Sequence, residues 1–152
     1  MHTVIEEEMV KLIQSESSLK RNYELCTSVK GVGLILGASL LVCSNNFSKF
    51  KTWRQMASYA GTAPFPYESG SSIKRGKKVN EMANKRMKAL LSNAAVSNIA
   101  HNPEMRLYYE KKVKEGKNKM LVQNNIKNKV LARVFAVVKR GTPYVNVMSY
   151  AA

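Results

Sequence analysis

The sequence Y-A-G-T-A-P-F-P-Y-E-S-G-S-S-I-K-R-G, at residues 59–76, separates two segments of helical pattern and sets the organisation of the chain. Its two prolines and three glycines exclude a continuous helix, because proline lacks a backbone donor and glycine loses much conformational freedom in a helix. We therefore predict a long loop, and loops of this length usually have a function. A cluster of cations at its end would attract a phosphodiester. The cluster comprises Lys74, Arg75, Lys77 and Lys78.

Three serine hydroxyls precede this cluster, and one of them is a candidate nucleophile. Serine attacks phosphorus only where a base or a cationic, metal-assisted environment activates it. The cations could neutralise the charge that develops on the phosphate, but no neighbouring residue is an obvious general base. From the residues alone, a serine that accepts a hydrogen bond from an N–H group in the turn is the simpler interpretation. The three hydroxyls belong to Ser69, Ser71 and Ser72.

The charge of the chain predicts a polyanionic partner. The 152 residues carry a formal charge of +15, and residues 29–152 hold 22 Lys and Arg against five Glu. This balance favours nucleic acid over a membrane surface, and no apolar run is long enough to cross a bilayer. Cys26 and Cys43 lack a C-x-x-C spacing, so we expect reduced thiols in a cytoplasmic, nucleoid-associated protein.

Acidic and metal-binding residues are scarce. The chain has no Asp, and its ten Glu are not arranged as the converging carboxylates that a Mg²⁺-dependent nuclease needs. His2 and His101 are far apart and lack partners at metal-ligand spacing, and His101 occupies a position typical of a polar residue at a helix end. We therefore expect no metal or cofactor site in this chain.

Hydrophobic periodicity predicts an all-α fold. The first helix should run for about two dozen residues as an N-terminal arm over residues 1–26, and its apolar stripe either folds back or pairs with another copy. A third helix should begin near Ser48 as N-cap and end before Gly61, with its aromatic residues in the core. Later helices should run from residue 79 or 80 to about 100, from 103 to 114 and from 119 to 139, and residues 145–152 should form a tail.

Residues 28–42, S-V-K-G-V-G-L-I-L-G-A-S-L-L-V, have the pattern of a helix-hairpin-helix motif. Gly31 and Gly33 would allow a tight turn whose backbone N–H groups bind a phosphate at a helix N-terminus. The small residues Gly37 and Ala38 would let the two helices approach each other closely. The alternative is a buried helix pair that tolerates glycine and does not contact DNA.

The helix after the loop has one apolar side and one basic side. Lys85, Arg86 and Lys88 lie opposite its apolar positions, and residues 74–88 include seven basic residues and one Glu. Runs of charge are usually solvated helix faces. This run directly follows the serines, so we predict that it contacts the backbone of a nucleic acid.

The order of several motifs resembles the C-terminal domain of one transposase family, the insertion-sequence transposases that carry a RuvC-like DEDD domain and include bridge-RNA-guided recombinases. The similar segments are G-V-G in an apolar frame, M-A-S-Y-A-G-T-A-P, E-S-G-S-S-I-K-R-G, N-E-M-A-N-K-R-M-K-A-L-L and N-P-E-M-R-L-Y-Y-E. The resemblance covers residues 27–144, which we take as one domain. Its most specific part is the Y-A-G-x-x-P to S-G loop followed by the basic helix.

This resemblance implies a serine nucleophile that attacks a DNA phosphodiester and forms a transient phosphoserine link. The serine of the family's S-G step is Ser69 in this chain, and Ser71 and Ser72 are alternatives. In the family, carboxylates and Mg²⁺ of the RuvC-like domain complete the site, and we expect these 152 residues to hold no counterpart of that domain. The resemblance implies DNA, a guide RNA, the RuvC-like domain and further copies of the chain as partners, and no cleavage by this chain alone. A non-catalytic, nonspecific nucleic-acid-binding module is the alternative.

Overall fold

The computed structural model of the chain describes residues 3–63 and 81–145, with side chains from residue 85 onward in the second range. These residues form seven α-helices and no strand, which confirms the predicted all-α class. No helix in the two described ranges has the length and apolar character needed to cross a membrane. The helices are α1 (Val4–Ser15), α2 (Ser17–Ser28), α3 (Leu34–Cys43), α4 (Trp53–Ala60), α5 (Glu81–His101), α6 (Pro103–Lys114) and α7 (Lys119–Arg140).

The predicted N-terminal helix consists of two helices, because the backbone changes direction at Glu16. This residue has extended dihedral angles, with φ −123° and ψ 126°, and lies between α1 and α2. Serines flank it on both sides, and the Ser15 hydroxyl donates to the Leu12 carbonyl oxygen at 2.6 Å. Serine hydroxyls compete for backbone groups in this way and weaken a helix interior. The prediction of one continuous helix was therefore wrong.

One side of α1 packs on the rest of the domain. Ile13 is buried together with Ala38 and Leu41 of α3. On the other side, Val4 and Ile5 are 75% and 72% exposed. The apolar stripe of α1 therefore folds back on this chain through one edge and leaves a second edge in solvent.

The helices α2 and α3 pack closely because the residue between their surfaces is glycine. A methyl group on Gly37 would lie 3.1 Å from Thr27 Cγ2 and 3.3 Å from Tyr23 Cε2, both on α2. Contacts this short would force the helices apart. Gly37 thus allows the close approach that the sequence predicts.

The third predicted helix begins later than expected, at Trp53 with Thr52 as its N-cap. The Thr52 side chain accepts a hydrogen bond from a backbone N–H in the first turn of α4. Ser48 instead belongs to a turn in which residues 45–47 all have positive φ. Two of these residues are asparagines, which adopt left-handed conformations more easily than most side chains. The prediction of Ser48 as N-cap was therefore wrong.

The main core lies between α2, α3, α4, α5 and α7. The two longest helices, α5 and α7, pack against each other through it. The buried valines of α7 recur at helical spacing, which confirms the predicted helix despite a composition typical of strands; they are Val122, Val130, Val134 and Val137. The aromatic side chains of Phe47, Phe50 and Trp53 pack against the core, as predicted. Its most buried side chains include Leu40, Met56, Met87, Leu91, Val130, Leu131 and Val134.

The predicted ends of the last three helices are confirmed. The last residue of α5 is His101, which is exposed, and Pro103 is the first residue of α6. Gly141 ends α7 with φ 78°, a left-handed conformation that glycine adopts without strain. Proline at a helix start and glycine after a helix end are the sequence signals that located these boundaries.

Candidate nucleic-acid interface

The serine loop, defined as residues 64–80, lies outside the described residues. The nucleophile and the cations that the sequence places in this loop therefore stay predictions. They are Ser69, Ser71, Ser72, Lys74, Arg75, Lys77 and Lys78. The structure describes the chain on either side of the loop, at Thr62 and Ala63 and along α5.

The chain is anchored to α7 just before the serine loop begins. Thr62, which is 1% exposed, follows Gly61, the left-handed residue that ends α4. Its carbonyl oxygen accepts two hydrogen bonds, from Asn124 Nδ2 at 2.8 Å and from Asn128 Nδ2 at 3.0 Å. We call Thr62, Asn124 and Asn128 the Thr62 anchor. Two amides from successive turns of α7 hold this carbonyl and so fix where the chain enters the loop.

On the other side of the loop, α5 presents a basic face. Lys85, Arg86 and Lys88 are exposed, while Met87 and Leu91 of the same helix are buried in the core. No carboxylate among the described side chains forms an ion pair with the three cations. This placement agrees with the predicted division of α5 into an apolar and a basic side. Three cations on a helix that form no ion pair with the described carboxylates can attract a polyanion.

Sequence reasoning missed one cation, Lys127, which lies on α7 between the two asparagines of the Thr62 anchor. Lys127 is only 7% exposed and forms no ion pair within the described residues. Burial lowers the pKa of its ammonium group below the usual value, and the charge of Lys88 lowers the pKa further. A signal was present in the sequence, since Lys127 precedes the buried residues Leu131 and Val134 by four and seven positions.

Gly31 of the α2–α3 turn lies against α5. It has φ +89°, and a methyl group added there would clash with Asn98 and lie 3.0 Å from the Ala94 carbonyl oxygen. Asn98 Nδ2 donates to the carbonyl oxygens of Lys30 at 3.0 Å and of Ala94 at 2.9 Å. The close packing of Gly31 against α5 therefore explains why glycine is required at this position. Its predicted contact with phosphate stays a prediction.

Gly33 has a different environment from Gly31. It is the N-cap of α3, makes no side-chain capping bond, and a methyl group added there would meet no atom of the described residues within 4 Å. The first N–H groups of a helix lack intrahelical partners, so open space at such a position leaves them available to an anion. Of the two predicted turn glycines, the geometry favours Gly33 as the one that could approach a phosphate.

The residues that the structure describes do not fit a magnesium site. Within residues 3–63 and 81–145, no three His, Cys, Asp or Glu side chains converge as metal ligands. Mg²⁺ needs oxygen ligands held in an octahedral arrangement, and the chain has no Asp to contribute. We therefore assign no chemical step in this chain to a metal ion.

Comparison with known proteins gives one family and several longer relatives. Residues 23–110 match the family described as transposase IS116/IS110/IS902. The pilin gene-inverting protein of Moraxella bovis is 26% identical over 143 residues, which are 93% of this chain and 44% of that protein.

Two proteins of insertion elements are also similar. The IS110 uncharacterized 43.6 kDa protein of Streptomyces coelicolor is 31% identical over 78% of this chain and 29% of its own length. The IS900 uncharacterized 42 kDa protein of Mycobacterium paratuberculosis is 32% identical over 70% of this chain and 27% of its own length. The chain thus spans less than half the length of these curated relatives.

Proposed function

Because the chain belongs to the IS116/IS110/IS902 transposase family, we propose that it is the DNA-binding, nucleophile-bearing C-terminal domain of an insertion-sequence transposase. Such a domain would take part in DNA strand cleavage and exchange during transposition. The observation that carries this proposal is the arrangement on the two sides of the serine loop. The loop leaves α4 at the fixed Thr62 anchor, and the exposed cations of α5 follow it.

This arrangement supports a division of labour between rigid and reactive parts. Helices hold Lys85, Arg86 and Lys88 in place, so a DNA backbone bound there would have a defined position relative to the chain that enters the loop. Rigid binding of this kind converts the attack of a loop hydroxyl into an intramolecular step, which is favoured by proximity. The proposed nucleophile is Ser69, with Ser71 and Ser72 as alternatives.

The proposed chemical step is a transesterification. The Ser69 hydroxyl gives its proton to a base, its oxygen bonds to phosphorus, and the bond between phosphorus and one deoxyribose oxygen breaks. That oxygen leaves with a proton, and the protein retains the other DNA end as a phosphoserine ester. The described residues contain neither an obvious base nor a set of metal ligands for this step. We therefore propose that this chain binds DNA and that cleavage requires carboxylates and Mg²⁺ from a RuvC-like domain.

The proposed partners are DNA, a guide RNA, the RuvC-like domain and further copies of the chain. The exposed edge of α1, with Val4, Ile5 and Leu12, supports the last of these. Solvent-facing apolar side chains at helical spacing are typical of helices that pair with another helix. The length of the curated relatives supports the presence of a further domain in a full-length protein.

The alternative function is a nonspecific nucleic-acid-binding module without chemistry, built on the α2–α3 turn and the basic face of α5. The open N-terminus of α3 at Gly33 favours it, because such a site binds phosphate and not bases. Both functions predict DNA binding that weakens as salt rises. They differ only in whether a serine of the loop reacts.

Two sets of variants test these functions. Replacing Lys85, Arg86 and Lys88 together by Ala should reduce the slope of log affinity against log salt by about 2 to 3, because each phosphate contact contributes about 0.9. An unchanged slope would exclude the basic face of α5 as part of the binding surface.

The variant Gly33→Val with Lys77→Ala and Lys78→Ala tests the other predicted contacts by the same measurement. In a full-length transposase, Ser69→Ala should abolish strand exchange and leave DNA binding intact. Strand exchange at the normal rate would exclude Ser69 as the nucleophile and favour the non-catalytic binding module.

A further inference from the structure

We propose that a groove between the start of α4 and the second half of α7 binds one unpaired nucleotide of a DNA strand. The inference rests on the proposed function, since the strand belongs to the DNA that the domain binds. It adds to that function a contact with a base, whereas the cations of α5 would contact only the backbone. We call this site the aromatic groove and define it by four rings and two lysines, which are Phe47, Phe50, Trp53, Phe135, Lys51 and Lys139.

The first observation is the size and lining of the aromatic groove. Its volume is about 650 Å³, and clefts that bind small molecules commonly measure about 300 to 1,000 Å³. The four rings pack against the main core on one side and remain partly exposed. Proteins hold unpaired nucleotides mainly by stacking their bases on aromatic side chains. The groove therefore has the surface that an unpaired base requires.

The second observation is the charge of the two segments that form the aromatic groove. The sequence has no acidic residue between Glu24 and Glu68 or after Glu115. Lys51 and Lys139 are exposed, line the groove and form no ion pair with a described carboxylate. A nucleotide combines an apolar base face with an anionic phosphate, so it complements both the rings and the lysines. An apolar peptide would use only the rings.

The third observation is that cations already lie next to two rings of the aromatic groove. The Arg54 guanidinium carbon is 5.5 Å from the centre of the Trp53 ring, and the Lys49 ammonium is 5.5 Å from the centre of the Phe50 ring. The face of an aromatic ring carries partial negative charge and attracts cations. Both cations are exposed. They can therefore also attract the phosphate of a nucleotide whose base stacks nearby.

The wall that contains Phe47 is held in place by contacts outside the groove. Phe47 has φ 64°, a left-handed conformation that a bulky residue rarely adopts. The adjacent Asn46 is fastened to α2, since its Nδ2 donates to Ser18 Oγ at 2.7 Å and its Oδ1 accepts from Asn22 Nδ2 at 2.7 Å. The Phe47 ring then meets Phe135 of α7 edge-on, with the ring centres 5.3 Å apart. A platform fixed in this way loses little entropy when a base stacks on it.

The hydroxyl groups that line the aromatic groove already form hydrogen bonds within the chain. The Ser48 hydroxyl donates to the Asn45 carbonyl oxygen at 2.6 Å, and the Thr52 hydroxyl accepts from the Gln55 N–H group at 3.4 Å. Stacking would therefore contribute more to binding than hydrogen bonds to base edges. Because every base has a face for stacking, we expect the groove to accept all four bases.

The aromatic groove lies at the end of α4 opposite to the serine loop. Trp53 is the first residue of α4, and Gly61 directly follows its last residue. At 1.5 Å per residue, the eight residues of α4 separate its two ends by about 12 Å. One strand of DNA advances about 3.4 Å per nucleotide, so this distance corresponds to about three to four nucleotides. A base in the groove would thus hold an unpaired strand a few nucleotides from the Thr62 anchor.

The first arm of the test follows the fluorescence of Trp53, the only tryptophan in the chain, during titration with a short thymidine oligonucleotide. A base that stacks on the indole ring should quench its emission. A DNA duplex should quench it much less, because paired bases stack on each other. Emission that does not change when the oligonucleotide is bound would overturn the proposal.

The second arm measures affinity for the fluorescein-labelled oligonucleotide by anisotropy. We expect Trp53→Leu to bind about tenfold more weakly, the effect of losing one stacked base, and Trp53→Phe to stay within about threefold. The matched control is Tyr109→Leu, which removes a partly buried ring from a different hydrophobic cluster. Its affinity should change by less than about twofold. If the rings only complete the edge of the core, Trp53→Leu and Tyr109→Leu should bind equally well.

The third arm uses variants that leave the rings in place. Lys51→Met together with Lys139→Met changes only exposed side chains, so the fold should be kept. This variant should reduce the slope of log affinity against log salt by about 1.4 for the oligonucleotide, since each phosphate contact of a single strand contributes about 0.7. An unchanged slope would exclude the two lysines and overturn the proposal.

Titration with duplex DNA and with a uridine oligonucleotide separates the remaining outcomes. If the duplex binds but the thymidine oligonucleotide binds independently of Trp53, the groove is wrong and the proposed function stands. If the thymidine oligonucleotide binds through Trp53 and no duplex binds, the groove stands and the proposed function is wrong, because a transposase domain must bind duplex DNA. If only the uridine oligonucleotide depends on Trp53, the occupant is RNA and the proposal is overturned.

Discussion

Replacing Gly31 by Ala should destabilise the fold much more than replacing Gly33 by Ala, although both residues lie in the turn between α2 and α3. Gly31 has φ +89° and contacts Asn98, whereas Gly33 has φ −96° and, in the described part of the chain, no atom within 4 Å of an added methyl group. Alanine in the left-handed region costs about 1 to 2 kcal/mol. The displaced Asn98 would also lose hydrogen bonds to Lys30 and Ala94, each contributing about 1 kcal/mol.

The sum predicts that Gly31→Ala lowers the free energy of unfolding by roughly 3 to 4 kcal/mol. Gly33→Ala, which meets no clash, should lower it by less than about 1 kcal/mol. Urea denaturation followed by far-ultraviolet circular dichroism measures both values on the chain without ligand. Equal losses of stability in the two variants would refute the assignment of Gly31 to packing against α5. A larger loss at Gly33 would refute it as well.

Two further predictions concern the Thr62 anchor and a buried thiol. Asn124→Ala and Asn128→Ala should each lower the free energy of unfolding by about 1 kcal/mol. The loss in the double variant should be larger than the sum of the two single losses, because the buried Thr62 carbonyl oxygen then has neither donor. Strictly additive losses in urea denaturation would show that the two amides act independently. Burial raises the pKa of the Cys26 thiol to about 12, so its neutral form stabilises the fold at and below pH 9 and this contribution is lost as pH rises towards 12. The unfolding midpoint should therefore fall more steeply between pH 9 and pH 11 in the unmodified chain than in Cys26→Ala, and parallel curves would contradict this assignment.

Local signals in the sequence were sufficient for most of the helices. The α6 start at Pro103 and the α7 end at Gly141 follow from the restricted φ of proline and the freedom of glycine. The inner face of α7 follows from apolar residues repeated at helical spacing, even though many of them are valines. These features depend on a residue and its near neighbours along the chain, so periodicity and capping rules can predict them.

The two wrong boundaries depend on finer balances. At Glu16 the apolar spacing continues across the break, and the competing hydrogen bonds of serine hydroxyls decide against one continuous helix. At residues 45–47, a left-handed turn is stabilised by a hydrogen bond from the Phe47 N–H group to the Ser44 hydroxyl at 2.8 Å. This turn moves the start of α4 to Trp53. Periodicity alone does not detect either effect.

The features of the candidate site that sequence reasoning missed are contacts between distant segments. The Thr62 anchor joins residues 62 and 66 positions apart, and Gly31 contacts Asn98 across a similar separation. In the sequence, Lys127 does not differ from the many surface lysines, because the neighbours that bury its side chain come from the tertiary fold. The basic side of α5, by contrast, was predictable, because a charged stripe opposite an apolar stripe is a local property of one helix.

The most direct measurement of the central claim is mass spectrometry of a full-length transposase that contains this domain, denatured during reaction with its DNA. We expect a peptide in which Ser69 carries a nucleotide through a phosphoester bond. This peptide should be absent from Ser69→Ala and present in Ser71→Ala, with equal DNA binding by both variants. A nucleotide on another residue, or strand exchange by Ser69→Ala at the normal rate, would contradict the account.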